Sequence, residues 1–374
     1  MINSVQRVTI TVPERSYEAI IETGLLERAG QELRKLLPEC RQLFVVTVSP
    51  VKRRWGRKLQ SSLAKARFEA KFIDMPDGER HKRLATVEIL ADQLVQHRAE
   101  RNAVIVAFGG GVVGDVAGLL ASIYMRGVEV VQIPTTVLAQ VDASVGGKTG
   151  VNLRAGKNLL GTFHQPLAVL IDPAVLSTLP EREFRAGLYE SVKCGVIGNP
   201  ELFRMLENEN VEDLRRDPAK LKWVIAESVK LKADVVSSDE REGGLRRVLN
   251  FGHTIGHALE AATGYRQYLH GEAVAWGMIA AAGIAARAGK CGPETAQRIA
   301  DATLQFGPLP KVETNAKTIL RLLQTDKKTR NGVVHFVLPR QIGRVEIDDD
   351  VSEDAVIEAV SDLRRMSTLR RSRG

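Results

Sequence analysis

Cysteine is scarce: Cys40, Cys194 and Cys291 are the only three in 374 residues. They are odd in number and widely spaced, which argues against a disulfide framework and a zinc knuckle and for reduced thiols in a cytoplasmic protein. Long apolar runs are absent, so no segment is predicted to span a bilayer. Met1 to Pro13 alternates like a strand through Val8, Ile10 and Val12 and lacks the apolar core of a signal peptide. Aromatic residues make up 5% of the chain, and no stacked series of them accompanies the dispersed basic residues. The net charge of +8 therefore comes without the stacking partners of a nucleic-acid binder. Much of the excess is terminal, in Arg364, Arg365, Arg370, Arg371 and Arg373, and reads as a frayed, solvated tail. A nucleic-acid function would rest on that tail alone, and if the tail is only solvated, removing Arg364 to Gly374 would leave an enzymatic activity largely intact. Internal repeats are missing too.

What is present is a soluble, globular composition, 44% hydrophobic and 26% charged, in a chain long enough for two domains. The first half alternates strands and helices. Val8 to Val12, Leu43 to Val48, Lys71 to Ile73, Val104 to Phe108 and Glu129 to Ile133 read as strands. Leu25 to Leu37, a basic stretch from Val51 to Arg67, and Ala85 to His97 read as helices. This rhythm predicts a Rossmann-like parallel sheet covered by helices. After Ile171-Asp172-Pro173 the strand signals fade. Phe184 to Val196, Pro200 to Glu207, Ala219 to Val235, Gly252 to Ala262, Ala273 to Ala286 and Glu294 to Phe306 have helical spacing. Val333 to Leu338 and Gly343 to Ile347 look like a late hairpin. The expectation is an α/β domain over 1–178 and a mostly α-helical domain over 179–374.

Two glycine-rich turns stand out in the first half. The apolar strand ending at Phe108 runs into Gly109-Gly110-Gly111-Val112-Val113-Gly114-Asp115, with a helix opening behind it. Such a turn offers backbone N–H groups and a helix N-terminus to a phosphate, and it also suits a tight structural turn. It is not a GxGxxG fingerprint. Asp142-Ala143-Ser144-Val145-Gly146-Gly147-Lys148-Thr149-Gly150-Val151-Asn152 contains Gly-Gly-Lys-Thr without the spacing of a Walker A loop. With Lys157-Asn158 it reads as a turn-rich loop that binds an anion or is simply solvated.

The second half is organised around Asn250-Phe251-Gly252-His253-Thr254-Ile255-Gly256-His257, followed by His270-Gly271-Glu272. Three of the seven histidines fall here. His253 and His257 are one helical turn apart, and Thr263-Gly264-Tyr265 signals a turn that returns His270. A divalent-metal site fits this pattern, as do two core histidines and a surface one. Thr254 stands where a zincin needs glutamate, so a further ligand would come from elsewhere.

Taken together, these motifs, with Glu190-Ser191-Val192-Lys193 between them, occur in the order found in the 3-dehydroquinate synthase family. The chain resembles that family from about Val8 to Ile357. The resemblance implies a dehydroquinate synthase-like fold, an NAD-binding α/β domain and a helical domain carrying Zn2+ or Co2+, in a homodimer. It implies Glu190, His253 and His270 as metal ligands. It implies nucleotide binding by Glu79, Lys82, Gly110, Gly111, Val112, Asp115, Thr135, Thr136, Lys148 and Lys157. After Val46-Thr47 the family usually has an acidic or amide residue for the adenosine ribose; here Val48 and Ser49 follow, with Lys52-Arg53-Arg54 nearby.

The substrate implied is 3-deoxy-D-arabino-heptulosonate 7-phosphate, a carboxylate and phosphate met by convergent cations. By motif position these are Lys148, Lys193, Lys232, Arg246, Lys327 and Lys328, with Asn158, Asn250 and His257 as neutral or switchable partners. Asp142 would hold a substrate hydroxyl, and Arg126 would reach a neighbouring subunit. The implied reaction is transient oxidation by NAD, phosphate elimination, re-reduction and intramolecular aldol closure, which makes a lyase of the shikimate pathway. The rival readings are a cyclitol-forming sugar-phosphate cyclase, whose substrate lacks the carboxylate that Arg246 and Asn250 suit, and a metal-dependent polyol dehydrogenase, which would release NADH.

Overall fold

The structure is a computed structural model, and it describes residues 5–13, 15–154, 156–325 and 334–369. It divides into two compact units. One comprises Met1–Pro180 with Pro218–Arg241, the other Glu181–Asp217 with Glu242–Gly374.

The first unit is built on a seven-stranded sheet. Its strands are β1 (Gln6–Val12), β2 (Arg15–Ile21), β3 (Gln42–Val48), β4 (Glu69–Met75), β5 (Val104–Gly109), β6 (Glu129–Pro134) and β9 (Ala168–Ile171). A separate hairpin is formed by β7 (Lys148–Leu153) and β8 (Gly156–Phe163). The sheet order is β1-β2-β9-β6-β5-β3-β4. Only β1 and β2 pair antiparallel; the rest are parallel. The central strands are the most apolar. Every residue of β5 is buried, as is β3 after Gln42, as expected for strands covered on both faces. Edge strand β1 alternates buried and exposed residues. Phe44, Val46, Ile105, Ala107, Leu90, Leu94, Val116 and Leu120 form one continuous core between sheet and helices. Because the strands run parallel, their C-terminal ends align: Thr47 lies beside Phe108, and Gly109 beside Pro134.

Of the stretch read as a turn-rich loop, the part from Lys148 onward is instead the β7–β8 hairpin. The helix Pro218–Ser238, which the sequence groups with the second half, packs in the first unit. It lies against β1 and against the turn Ala139–Ala143. Thr11 N donates to Ser237 Oγ at 3.0 Å.

The second unit is helical around His270–Arg287, whose sequence is rich in alanine and glycine and buried along most of its length. Small side chains let Glu181–Gly198, His253–Ala262, Pro293–Leu304 and Glu353–Leu369 all pack against it. A hairpin of β10 (Phe336–Gln341) and β11 (Arg344–Asp348) completes the unit. Arg364 and Arg365 are not part of a frayed tail. They lie on the helix Glu353–Leu369, which buries Val356, Val360 and Leu363. Ser367 Oγ also accepts from Val312 N at 3.1 Å. Arg370, Arg371 and Arg373 lie outside the described residues.

Candidate functional site

In the first unit the glycine turn joins β5 to the helix Gly111–Ile123. Gly110, Gly111, Val112 and Asp115 are half-exposed at the start of that helix. Packing crowds the glycines here as well. A Cβ on Gly110 would meet Thr136 Cγ2 at 3.0 Å, and one on Gly118 would meet Thr149 Cγ2 at 2.5 Å. Thr135 N donates to Gly109 O at 2.9 Å, so β6 ends beside the turn. The Thr135 hydroxyl is buried and has no hydrogen-bond partner. An unanswered hydroxyl beside free helix N–H groups is a donor set suited to a nucleotide diphosphate.

A polar cluster adjoins this turn. Lys82, only 5% exposed, sets its ammonium 2.5 Å from Asp115 Oδ2 and donates to Asn158 Oδ1 at 2.5 Å. Asn152 Nδ2 donates to Glu79 Oε1 at 2.8 Å, and Asn158 N donates to Asn152 Oδ1 at 2.9 Å. Lys157 Nζ lies 3.6 Å from Glu79 Oε1. Burial raises the Asp115 carboxyl above its usual range, and the Lys82 ammonium pulls it back down. Asn152 was not singled out from the sequence, yet it ties β7 to the Glu79 segment. The hairpin itself is what brings Lys157 and Asn158 to Glu79 and Lys82.

Lys232 comes from the helix Pro218–Ser238. It is nearly buried, and its ammonium donates at 2.5 Å to both Oδ1 and the carbonyl of Asp142. One lysine therefore fixes both the Asp142 carboxylate and the turn that carries it. Lys148, at the start of β7, is exposed. Arg126 is exposed in a turn where Met125, Arg126 and Gly127 have φ of 48°, 71° and 119°. Ile123, Met125, Leu159, Leu160 and Phe163 are exposed on this turn and on β8. The end of the helix Gly111–Ile123, just before this turn, is tied to β8 by Thr162 Oγ1 donating to Ser122 Oγ at 2.9 Å.

In the second unit three elements bring the predicted metal ligands together. Glu190 and Lys193 lie on the helix Glu181–Gly198, with 0% and 1% exposure. His253 and His257 lie on the helix His253–Ala262, and His270 opens the next. The ligand atoms of His253, His257 and His270 lie within 4.8 Å of one another. His270 Nε2 lies 3.7 Å from Glu190 Oε1. Glycine makes the convergence possible. Gly252 takes a left-handed φ of 81° ahead of His253, a conformation a side chain would strain. A Cβ on Gly277 would meet Gly252 O at 1.8 Å, and one on Gly256 would meet Ala273 O at 2.9 Å. The two histidine helices thus touch backbone to backbone. Sequence reading did not identify this contact.

Glu190 is the diagnostic group. Its ammonium neighbour Lys193 is in ion-pair contact, but neither carboxylate oxygen accepts a hydrogen bond. A fully buried carboxylate is normally hydrogen-bonded on its free lone pairs. Its 3.7 Å separation from His270 Nε2 is too long for a hydrogen bond and suits two ligands sharing one cation, whose donor atoms stand roughly 3–3.5 Å apart at metal–ligand distances of about 2 Å. His253 Nδ1 faces Phe251 O at 3.2 Å, which directs its Nε2 away from the backbone. The residues present fit a divalent metal.

Arg246 is 2% exposed in the turn Leu245–Asn250, and Asn250 Nδ2 donates to Glu242 Oε1 at 2.8 Å. Lys327 and Lys328 lie outside the described residues.

Comparison with known proteins agrees over nearly the full length. The family model described as 3-dehydroquinate synthase N-terminal matches residues 72–186, and that described as 3-dehydroquinate synthase C-terminal matches 187–329. A protein of Koribacter versatilis named 3-dehydroquinate synthase is 54% identical over 361 residues, 96% of this chain and 99% of that one. Among solved structures, the chain is similar to ValA, a 2-epi-5-epi-valiolone synthase from Streptomyces hygroscopicus subsp. jinggangensis with NAD+ and Zn2+ bound. The TM-score is 0.85 at 31% identity, covering 95% of this chain and 99% of that one. A 2-deoxy-scyllo-inosose synthase complexed with carbaglucose-6-phosphate, NAD+ and Co2+ gives a TM-score of 0.84 at 26% identity, covering 96% and 99%. With two adjoining family models spanning the glycine turn, Glu190 and all three clustered histidines, the chain belongs to the 3-dehydroquinate synthase family.

Proposed function

We propose that this protein converts 3-deoxy-D-arabino-heptulosonate 7-phosphate into 3-dehydroquinate and phosphate, using NAD and a divalent cation, zinc or cobalt. It is a phosphate-eliminating lyase of aromatic amino acid biosynthesis. The observation that carries the reading is Glu190: a buried carboxylate, ion-paired to Lys193 and accepting no hydrogen bond, 3.7 Å from His270, which itself clusters with His253 and His257.

Glu190, His253 and His270 would hold the cation. When bound, the cation would supply Lewis acidity to a substrate hydroxyl, and the nicotinamide would supply a reversible hydride acceptor. The remaining work belongs to side chains. Lys193 offsets the charge of Glu190 and offers an ammonium to a substrate anion. Arg246 and Asn250 suit a carboxylate, the guanidinium by paired N–H donors and the amide by one more. His257 offers an imidazole nitrogen as a hydrogen-bond partner for the substrate. Asp142, oriented by Lys232, accepts a hydrogen bond from a substrate hydroxyl. Lys148, Asn158, Lys327 and Lys328 complete the set of groups for the phosphate and hydroxyls. Most of this is catalysis by positioning and electrostatics.

For the nucleotide, the glycine turn with Thr135, Thr136 and Asp115 would take the diphosphate side, and Glu79, Lys82 and Lys157 would line the adjoining surface. The basic run after β3 is partly engaged: Lys52 Nζ donates to Asp74 Oδ2 at 2.8 Å, and Arg54 Nη1 donates to Pro50 O at 3.4 Å. NAD is therefore expected to bind more tightly than NADP. Calorimetric titration of both checks this, and tighter binding of the phosphorylated nucleotide would overturn it.

Exposed apolar side chains on the elements next to Arg126 and on β8 support a homodimer. Exposed Ile123, Met125, Leu159, Leu160 and Phe163 on adjoining elements are what an interface covers, and Arg126 would then reach the neighbouring subunit. The three buried cysteines, none of them in a disulfide, support a cytoplasmic location. Among the described residues no helix is long and apolar enough to cross a membrane.

The deciding experiment is phosphate release from the heptulosonate phosphate with zinc and catalytic NAD, read alongside absorbance at the NADH band. Phosphate release without net NADH is expected. Activity on sedoheptulose 7-phosphate instead would move the chain to cyclitol formation, and accumulating NADH would make it a dehydrogenase.

A further inference from the structure

Glu260 has no role in the reaction described above, yet it is 2% exposed. It sits on the same helix as His253 and His257, one turn past His257. Its carbonyl is used by local contacts, accepting from Tyr265 N at 2.8 Å and Thr263 Oγ1 at 3.1 Å. Its carboxylate points elsewhere: Oε2 lies 3.2 Å from His270 Nδ1. The other ring nitrogen of His270 faces Glu190. One imidazole thus stands between two buried carboxylates, hydrogen-bonded to one and too far from the other for such a bond.

We propose that Glu260 is the positioning residue of the metal centre. By accepting the Nδ1 proton of His270, its carboxylate fixes the tautomer in which Nε2 turns its lone pair toward Glu190. The charge of the acceptor also makes that imidazole a stronger donor to a cation. His253 has the corresponding arrangement with a neutral acceptor, the Phe251 carbonyl at 3.2 Å. The two imidazoles are therefore unequal ligands. Because Glu260, His253 and His257 share one short helix, the group that orients His270 moves as a body with the other histidines. The proposal rests on the assignment of Glu190, His253 and His270 as ligands.

The test is the zinc affinity of the full chain, measured without substrate by competition with a chelating dye. Glu260→Gln, Glu260→Leu and Glu190→Gln are compared with the parent, and cobalt absorption reports ligand geometry. Glu260→Leu is expected to weaken zinc binding about 10–100-fold, the usual effect of losing an outer-shell partner. Glu260→Gln keeps the shape and an acceptor but not the charge, so a smaller loss, about 3–10-fold, is expected with a shifted cobalt spectrum. A structural role alone would lower the melting temperature of the metal-free protein and leave affinity and spectrum unchanged. Parental affinity and spectrum in Glu260→Gln overturn the proposal, even where Glu260→Leu does not fold. Parental affinity in Glu190→Gln overturns the ligand assignment instead.

Discussion

Replacing His253 by alanine, or Glu190 by glutamine, is expected to remove the bound zinc and lower turnover by at least about 10³-fold, because a Lewis acid contributes several kcal/mol at the reacting oxygen and each ~1.4 kcal/mol is tenfold in rate. The chain should remain folded. The choice of glutamine matters. Glu190 and Lys193 are both fully buried in ion-pair contact. Truncation to alanine would remove one member of a fully buried ion pair and leave a cavity, at about 3–5 kcal/mol. Glutamine keeps the volume and a carbonyl acceptor for Lys193 while removing the anionic ligand. Zinc content by elemental analysis, circular dichroism and phosphate release together separate loss of metal from loss of fold. A variant that binds no zinc yet turns over at the parental rate would refute the site.

The second large effect is expected at a residue with no chemistry. Gly277→Ala should lower the melting temperature and weaken zinc binding together. The added methyl would lie 1.8 Å from Gly252 O and 2.7 Å from its carbonyl carbon. Both are backbone atoms, which cannot rotate aside, so the helices must separate. Overpacking of this kind costs about 1–3 kcal/mol. The displacement falls on Gly252, the residue ahead of His253. Gly283→Ala on the same helix is the control: its methyl would meet only the end of the Arg287 guanidinium, at 3.5 Å. That variant should keep zinc and gain slightly in helix propensity. Equal zinc affinity in Gly277→Ala and the parent would show that the glycine contact does not set the histidine geometry.

These two residues mark how far the sequence could be read. β3 and β5 were legible because they are unbroken apolar runs, and the parallel sheet followed from their spacing. β2 was not expected. Arg15, Ser16 and Glu18 make its first half polar, and it pairs at an edge where such residues meet solvent. The β7–β8 hairpin was hidden by its glycines, which count against strands in general. Here they permit it: a Cβ on Gly161 would meet Thr149 O at 2.0 Å, so the strands approach only without one. The histidine spacing was visible, and Glu190 was found by motif. Glu260, Asn152 and Gly277 were not, because what each does depends on a neighbour distant in sequence or beyond a turn. Periodicity likewise showed that 219–235 is helical but not which surface it covers. That depends on β1, some 220 residues earlier.

That last helix has a consequence for how the protein comes into being. The polypeptide passes from one unit to the other near residue 180, again near 217, and a third time near 241. Neither unit is a contiguous stretch of gene. A ribosome that has finished the seven-stranded sheet has still not made Lys232, the residue that secures the Asp142 turn. The first unit must therefore wait, incomplete, while Glu181–Asp217 of the second is synthesised, so its maturation is coupled to that of its neighbour. A single proteolytic nick near Pro180 would for the same reason free no intact half. The fragments would remain interlocked through residues 218–241, and the molecule should fail or survive as a whole.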